Sequence, residues 1–242
     1  MTRLRSIIFM LWLYGLIVFF GLFLWPIILI SRRACMVMTR LWAKTVLKGL
    51  TFICGLKIEI RGLEHMPKTK SLIAAKHLSM LDTIVPLAIL PDPCFVYKKS
   101  LSYLPFFGWY LVRGRMIAIK REEAAKALKQ MLKDASERLK DPRQLIIFPE
   151  GTRAELGVEG VYKPGVAALY RELDCECALI ATNSGQFWPA HGIERYAGTV
   201  VFEFLPPLPA GLKRGELMTQ VKDRLETASN ALISEFKDMA RR

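Results

Sequence analysis

The first 55 residues contain no aspartate or glutamate, although the whole chain has 22 acidic residues. Within this stretch, Ser6 to Ser31 carries no charged side chain and is almost entirely apolar. About 20 apolar residues suffice for a helix to cross the hydrocarbon core of a bilayer, and a cleaved signal peptide has a shorter apolar region. The missing charge therefore predicts a retained membrane segment, kinked near its end at Pro26.

The missing acids also leave the N-terminal part strongly basic, within a chain whose net charge is +13. If residues 34–50 are helical, the basic residues lie one turn apart on one face, and the apolar residues are expected towards the other side. The basic residues are Arg40, Lys44 and Lys48, and the apolar ones are Val37, Leu41, Trp42, Val46 and Leu50. This pattern indicates a basic amphipathic helix lying on membrane lipids, or a helix packed on the domain with a solvated basic edge. No nucleic acid is expected as a partner, because no nucleic-acid-binding motif is present.

Cysteine is also scarce, with five residues scattered along the chain. Cys175 and Cys177 form a single C-x-C pair with no second pair and no nearby histidine, so no metal site is expected. We predict reduced, mostly buried thiols in a cytoplasmic domain.

After the basic region, apolar strand-like runs alternate with helical patterns. The candidate strands are 57–60, 71–76, 94–98, 116–120, 143–148, 177–183 and 199–204, and the candidate helices are 80–90, 122–140, 164–173 and 214–238. Such alternation predicts an α/β fold with a mixed sheet flanked by helices. We therefore expect membrane-binding helices over residues 1–55 and one α/β domain over residues 56–242.

Histidine occurs only three times, and one copy, His77, directly follows the predicted strand 71–76. Asp82 lies five positions later, so its carboxylate can reach one imidazole nitrogen and leave the other free as a general base. Ser79 and Asp82 also resemble a helix capping box, which accounts for Asp82 without catalysis but does not account for His77. Ser79 itself is not expected to be a nucleophile, because no Gly-x-Ser-x-Gly elbow surrounds it.

A second strand end carries the motif FPEGTR, from Phe148 to Arg153. Its Glu150 and Arg153 place opposite charges in a tight loop, where an ordinary surface ion pair is the alternative to a functional role. Lys163 stands just before a predicted helix with Pro164 in its first turn. A helix N-terminus flanked by Arg153 and Lys163 suits an anion.

A third strand end adds Lys120 and Arg121. Basic residues at three strand ends, together with the His77–Asp82 pair, predict a pocket for a phosphorylated substrate. The aromatic run 102–110 has three interpretations that the sequence does not separate: the wall of an acyl groove, a core helix or a lid.

With these motifs on residues 55 to 205, the chain resembles the glycerolipid acyltransferase family, specifically its bacterial 1-acylglycerol-3-phosphate acyltransferases. The resemblance is carried by H-x4-D, by FPEGTR, by Arg121 at the end of an intermediate block, and by NSG at Asn183 to Gly185. It implies transfer of a fatty acyl group from a thioester of acyl-carrier protein or coenzyme A to a lysophospholipid hydroxyl at the membrane. No cofactor is implied.

The resemblance also implies roles for individual residues. The implied catalytic residues are His77 and Asp82, and the implied substrate-binding residues are Arg121, Glu150, Gly151, Thr152, Arg153 and Lys163. The expected location is the inner, cytoplasmic membrane, with the catalytic domain facing the cytoplasm.

Two blocks depart from the family pattern. The intermediate block usually begins with glycine six residues before its arginine, where this chain has Arg115, and residues 175–188 lack the usual proline. Both blocks concern the walls around the glycerophosphate and acyl groups, so another acceptor, such as lyso-ornithine lipid, stays open. A non-catalytic lipid-binding membrane protein is a further alternative, which predicts that His77 or Asp82 can be lost without consequence.

Overall fold

The computed structural model describes residues 2–120 and 124–237. In this part of the chain the helices are α1 (Thr2–Phe23), α2 (Trp25–Ile30), α3 (Arg32–Gly49), α4 (Leu81–Ile89), α5 (Phe107–Arg113), α6 (Ala124–Arg138), α7 (Gly165–Leu173), α8 (Ser184–Phe187) and α9 (Arg214–Glu235). The strands are β1 (Leu56–Arg61), β2 (Ser71–Ala75), β3 (Pro93–Lys98), β4 (Ile117–Ile119), β5 (Gln144–Ile147), β6 (Cys177–Thr182) and β7 (Gly198–Leu208). A π-helical turn at Leu50–Cys54 continues α3, and short 3-10 turns lie at Leu63–His65 and Lys99–Tyr103.

The strands form one mixed sheet in the order β1-β7-β6-β2-β5-β3-β4. The neighbouring strands from β6 to β4 in this order run parallel, whereas β7 is antiparallel to β6 and β1 follows the direction of β7. The predicted α/β fold with a mixed sheet flanked by helices is confirmed. Each predicted strand and helix is present, with ends that differ by a few residues within the described ranges. Residues 122, 123 and 238 of the predicted helices 122–140 and 214–238 lie outside the described residues.

The sequence of the central strands explains their place in the sheet. Every residue of β2, β5 and β6 is buried, as expected for parallel strands covered on both faces. Helices α6 and α7 pack together, α7 contacts β2, α9 contacts β6, and α3 packs against α4. The carboxyl ends of β6, β2 and β5 consequently lie side by side at one edge of the sheet.

The predicted membrane segment over residues 6–31 consists of two helices. α1 ends at Phe23, and Pro26 lies in the first turn of α2, where its missing N–H removes no helical hydrogen bond. α1 is long and apolar enough to cross a membrane, and most of its length is exposed, which indicates membrane association.

The beginning of α1 is joined to the rest of the chain. Phe9 packs edge-on against Trp188 with ring centroids 5.5 Å apart, and Ser6 Oγ accepts a hydrogen bond from the Arg195 N–H at 2.7 Å. Phe9 and Leu56 belong to the same buried core. The division into residues 1–55 and 56–242 stays a prediction.

The two-sided pattern predicted for α3 is wrong in part. Val37 and Leu41 are exposed beside Lys44 and Lys48, because these positions follow the i, i+4, i+7, i+11 spacing of one helical stripe. Arg40 packs on the domain instead, since its guanidinium donates to the carbonyls of residues 90 and 91 after α4. The exposed face of α3 therefore mixes basic and apolar side chains.

Candidate active site

Three neighbouring strand ends build the candidate site. Ala74 of β2 pairs with Ile147 of β5, and Ala75 pairs with Ile180 of β6, so the residues that follow these strands meet at one edge. In open α/β sheets, ligands bind at the carboxyl ends of the strands. The motifs H-x4-D, FPEGTR and NSG all begin at this edge.

Asp82 contacts His77 as predicted. The distance between His77 Nδ1 and Asp82 Oδ2 is 3.1 Å, and the Asp82 side chain is only 1% exposed. The same oxygen accepts hydrogen bonds from the backbone N–H groups of Leu78 and Ser79, at 2.6 and 2.7 Å. The other oxygen, Oδ1, accepts a 2.6 Å hydrogen bond from Ser184 Oγ. Ser184 thus holds the Asp82 carboxylate, a role that the sequence did not predict. The NSG motif showed only where Ser184 lies in the chain.

The capping-box interpretation is only partly correct. α4 begins at Leu81 and its N-cap is Met80, one residue later than predicted. Asp82 does accept from the Ser79 N–H, as a capping box requires, but Ser79 Oγ accepts from the N–H of Leu81 at 3.0 Å rather than from that of Asp82. One carboxylate therefore both closes the start of α4 and holds His77.

The imidazole of His77 is confined but accessible at its edge. Its ring stacks on Phe148 with centroids 4.0 Å apart and an interplanar angle of 16°, and the side chain stays 15% exposed. The backbone N–H of His77 donates to Glu150 Oε2 at 3.0 Å, and the backbone carbonyl of His77 accepts from the backbone N–H of Ala154 at 2.8 Å. The loop that begins with FPEGTR therefore holds both the ring and the backbone of His77.

Glu150 does not form the surface ion pair with Arg153 that was the alternative interpretation. Its side chain is buried, and its Oε1 lies 2.8 Å from Lys76 Nζ. The same ammonium donates to Glu226 Oε1 of α9 at 2.6 Å, and Tyr162 donates its hydroxyl to that oxygen at 3.0 Å. Burial raises the pKa of Glu150, while the positive charge of Lys76 opposes that increase.

The predicted anion-binding residues lie on the loop between β5 and α7. Arg153 is exposed and donates to the Ala190 carbonyl at 3.0 Å. Lys163 is also exposed, and its ammonium lies beside Gly151, where an added Cβ would stand 3.0 Å from Nζ. Gly151 has a φ of 68°, which explains glycine at this turn. Thr152 is exposed on the same loop.

Arg121 lies outside the described residues, so its predicted place in the pocket stays a prediction. The substrate-binding roles of the other loop residues are likewise predictions. Across residues 2–120 and 124–237, no group of three or more histidine, cysteine, aspartate or glutamate side chains is arranged to hold a metal ion.

Comparison with known proteins identifies the family. The family model described as Acyltransferase matches residues 57–184, and the chain belongs to this family. The chain is 32% identical to the 1-acyl-sn-glycerol-3-phosphate acyltransferase of Pseudomonas aeruginosa over 201 residues, which cover 83% of this chain and 78% of that protein. It is 31% identical to the protein of the same name from Helicobacter pylori, over 69% of this chain and 65% of that protein.

A solved structure supports the same assignment of fold. The crystal structure of the 1-acyl-sn-glycerophosphate (LPA) acyltransferase from Thermotoga maritima matches with a TM-score of 0.80, over 96% of this chain and 98% of that one. Its sequence identity is 19%, so this likeness concerns the fold alone. The family resemblance stated from the sequence motifs is confirmed.

The buried Lys76–Glu150 pair predicts a pH-dependent loss of stability on Lys76→Met. Removing one partner of a buried pair costs about 3–5 kcal/mol. A raised folded-state pKa of Glu150 means that stability is greatest below its unfolded pKa and is lost as the pH rises through the folded pKa. Without Lys76 that folded pKa rises further, so the difference in melting temperature from wild type should be larger at about pH 8 than at about pH 5.

The charged and titratable groups around Glu150 are Lys76, His77, Tyr162 and Glu226. The matched control is Lys222→Met, which breaks an exposed ion pair with Glu159. The control should show no such pH dependence, because solvent screens an exposed pair. If the difference in melting temperature between Lys76→Met and wild type stays constant with pH, the role of Lys76 as counter-charge to Glu150 is contradicted.

Proposed function

We propose that the chain transfers a fatty acyl group from an acyl thioester to the free hydroxyl of 1-acyl-sn-glycerol-3-phosphate and so makes phosphatidic acid for phospholipid biosynthesis. The observation that carries the proposal is the contact of His77 with the buried carboxylate of Asp82 at the edge where β6, β2 and β5 end. The acceptor is taken from the printed names of the Pseudomonas and Helicobacter relatives.

In the proposed mechanism, His77 is the general base. Asp82 accepts the Nδ1–H, which fixes the tautomer and leaves the electron pair on Nε2. Nε2 takes the proton of the acceptor hydroxyl while the hydroxyl oxygen attacks the thioester carbonyl carbon. The C–S bond then breaks, the new ester remains, and the imidazolium returns its proton to the thiolate. This direct transfer requires neither a metal nor a covalent enzyme intermediate.

Glu150 acts as a positioning residue in this mechanism. One of its oxygens accepts from the backbone N–H of His77 and the other faces Lys76, so the carboxylate is turned towards the protein interior. Glu150 is therefore assigned to positioning the loop rather than to binding the substrate.

The phosphate of the acceptor is assigned to the exposed basic residues of the loop between β5 and α7. Arg153 is the principal ligand, because a planar guanidinium can hold two phosphate oxygens at once. Lys163 supplies a second positive charge beside Gly151, and the exposed Thr152 lies on the same loop. Arg121 is assigned to the same phosphate from its motif alone.

The acyl donor is a thioester of acyl-carrier protein or of coenzyme A, the acceptor is a lysophospholipid, and the product is a membrane lipid. The proposed location is the inner membrane with the catalytic domain in the cytoplasm. Two observations support it. Both flanks of the apolar run are basic, and the flank after α2 carries more basic residues, which favours the cytoplasmic side for that flank. The five cysteines are all free thiols.

His77→Ala should lower the turnover number for phosphatidic acid formation by about 10²–10⁴-fold, the usual contribution of a positioned base. The measurement is phosphatidic acid formation from lysophosphatidic acid and each thioester donor by the purified full chain in lipid vesicles. Melting temperature and vesicle binding should stay at wild-type values. His191→Ala is the matched control, because His191 is an exposed histidine in a loop. Near-normal turnover by His77→Ala would overturn the mechanism.

Arg153→Ala should raise the KM for lysophosphatidic acid by roughly 10–100-fold, the loss expected for charge-assisted hydrogen bonds. Arg153→Lys should restore only part of it, because lysine returns the charge without the planar fork. The matched control is Arg171→Ala, at an exposed arginine on α7.

The same assay must include lyso-ornithine lipid as an acceptor. We expect wild-type protein to prefer lysophosphatidic acid and Arg153→Ala to lose that preference. If wild-type protein prefers lyso-ornithine lipid and Arg153→Ala leaves the preference unchanged, the phosphate assignment is wrong although acyl transfer survives.

A further inference from the structure

A second uncharged apolar stretch, from Leu101 to Val112, connects β3 to β4 and is not used by the candidate active site. Its residues 103–112, called here the 103–112 segment, include all of α5 except its last residue. Tyr103 is 75% exposed, Trp109 is 46% exposed and Val112 is 59% exposed. The segment is therefore not a core helix, which was one of the three sequence interpretations.

The 103–112 segment is fixed to the N-terminal apolar helices. Trp109 packs against Trp25 of α2 with ring centroids 6.4 Å apart, and Tyr110 donates its hydroxyl to the Phe20 carbonyl of α1 at 3.1 Å. Just after the segment, Arg113 donates to two backbone carbonyls near the end of α2, at 2.7 and 2.8 Å. Each of these contacts links α5 to a helix of the membrane-associated part.

Exposed apolar side chains occur both on the N-terminal helices and on the segment. On α1 and α2, Phe23, Leu29 and Ile30 are exposed, and on the segment Leu104 and Trp109 are exposed, with α5 packed against α2. Contiguous exposed apolar surface marks an interaction site, and tryptophan and tyrosine are enriched where a protein crosses the membrane–water interface. The apolar surface of α1 and α2 thus continues onto the segment.

The charges on either side of the segment suit contact with a membrane surface. Lys98 and Lys99 precede it and Arg113 and Arg115 follow it, while no charge lies between. An uncharged aromatic stretch between basic residues is the pattern of an interfacial element on anionic lipid.

The place of the segment in the sheet relates it to the catalytic edge. β3 is parallel to β5, and β5 is parallel to β2, so the carboxyl end of β3 lies at the same edge of the sheet as His77. The segment begins a few residues after that end.

We propose that the 103–112 segment enters the lipid bilayer beside α1 and α2, as a third membrane-contacting element. It holds the β3 side of the sheet to the membrane, starting after the carboxyl end of β3 and ending near Arg143, which donates to the carbonyls of residues 114 and 115. The proposal rests on the exposure and contacts of the segment, not on acyl transfer, so the two can fail separately.

Fluorescent labelling at single positions of the full chain tests the proposal. Trp109→Cys and Val112→Cys are each made in a Cys175→Ser background, because the other four native cysteines are buried. Each variant is labelled with an environment-sensitive nitrobenzoxadiazole dye and incorporated into vesicles of phosphatidylethanolamine and phosphatidylglycerol. Val112→Cys leaves the Trp25–Trp109 contact intact, so it separates membrane entry from disturbance of that contact.

The matched control is Leu63→Cys. Leu63 is an exposed leucine in the turn after β1, and β1 is the edge strand at the other end of the strand order from β3 and β4. In vesicles without substrate, the labels at 109 and 112 should emit at a shorter wavelength than the label at 63. Lipids that carry nitroxides on their acyl chains should quench the emission of these two labels, and aqueous iodide should not. The label at 63 should show none of these changes.

Two results would overturn the proposal. One is that the labels at 109 and 112 stay as accessible to iodide in vesicles as the label at 63. The other is that they become shielded only when an acyl thioester is added, which would make the segment the wall of an acyl groove. Phosphatidic acid formation by the same labelled proteins is measured in parallel, so that loss of the proposed reaction is recognised separately from loss of membrane contact.

Discussion

The candidate site depends on the hydrogen bonds that hold the buried carboxylate of Asp82. A carboxylate removed from water is unfavourable unless hydrogen bonds replace the lost hydration, and here Leu78, Ser79 and Ser184 all donate to it. These bonds join the end of β2, the start of α4 and the start of α8. The bond from Ser184 depends on the order of the strands, which places the NSG motif after β6 beside the H-x4-D motif after β2.

A second group of buried charges, formed by Lys76, Glu150 and Glu226, lies next to this site. Lys76 points away from the site towards Glu150 and Glu226, whereas the next residue, His77, faces Asp82, as the alternation of side chains along an extended chain requires. Pairing Glu150 with Lys76 turns the acidic residue of the FPEGTR loop inwards. In the proposed mechanism, the exposed Arg153 and Lys163 of the same loop bind the anionic acceptor.

Local patterns predicted much of this arrangement. The strands were predictable because buried parallel strands are continuous apolar runs, and the His77–Asp82 contact was predictable because the two residues are only five positions apart. Ser184 and Glu226 were not, because they lie 102 and 150 residues from their partners and only the fold brings them there. The α3 prediction failed on Val37 and Leu41, whose helical spacing places them on the basic stripe rather than opposite it.

The central claim is that Asp82 acts on acyl transfer through His77, and a double-mutant comparison tests it most directly. The rate of phosphatidic acid formation is measured for wild type, Asp82→Asn, His77→Ala and the double variant, each shown to be folded by its melting temperature. Two residues that act as a unit are non-additive. We predict that Asp82→Asn lowers the rate of the wild-type protein but leaves the residual rate of His77→Ala unchanged. An equal proportional loss in both backgrounds would contradict the claim.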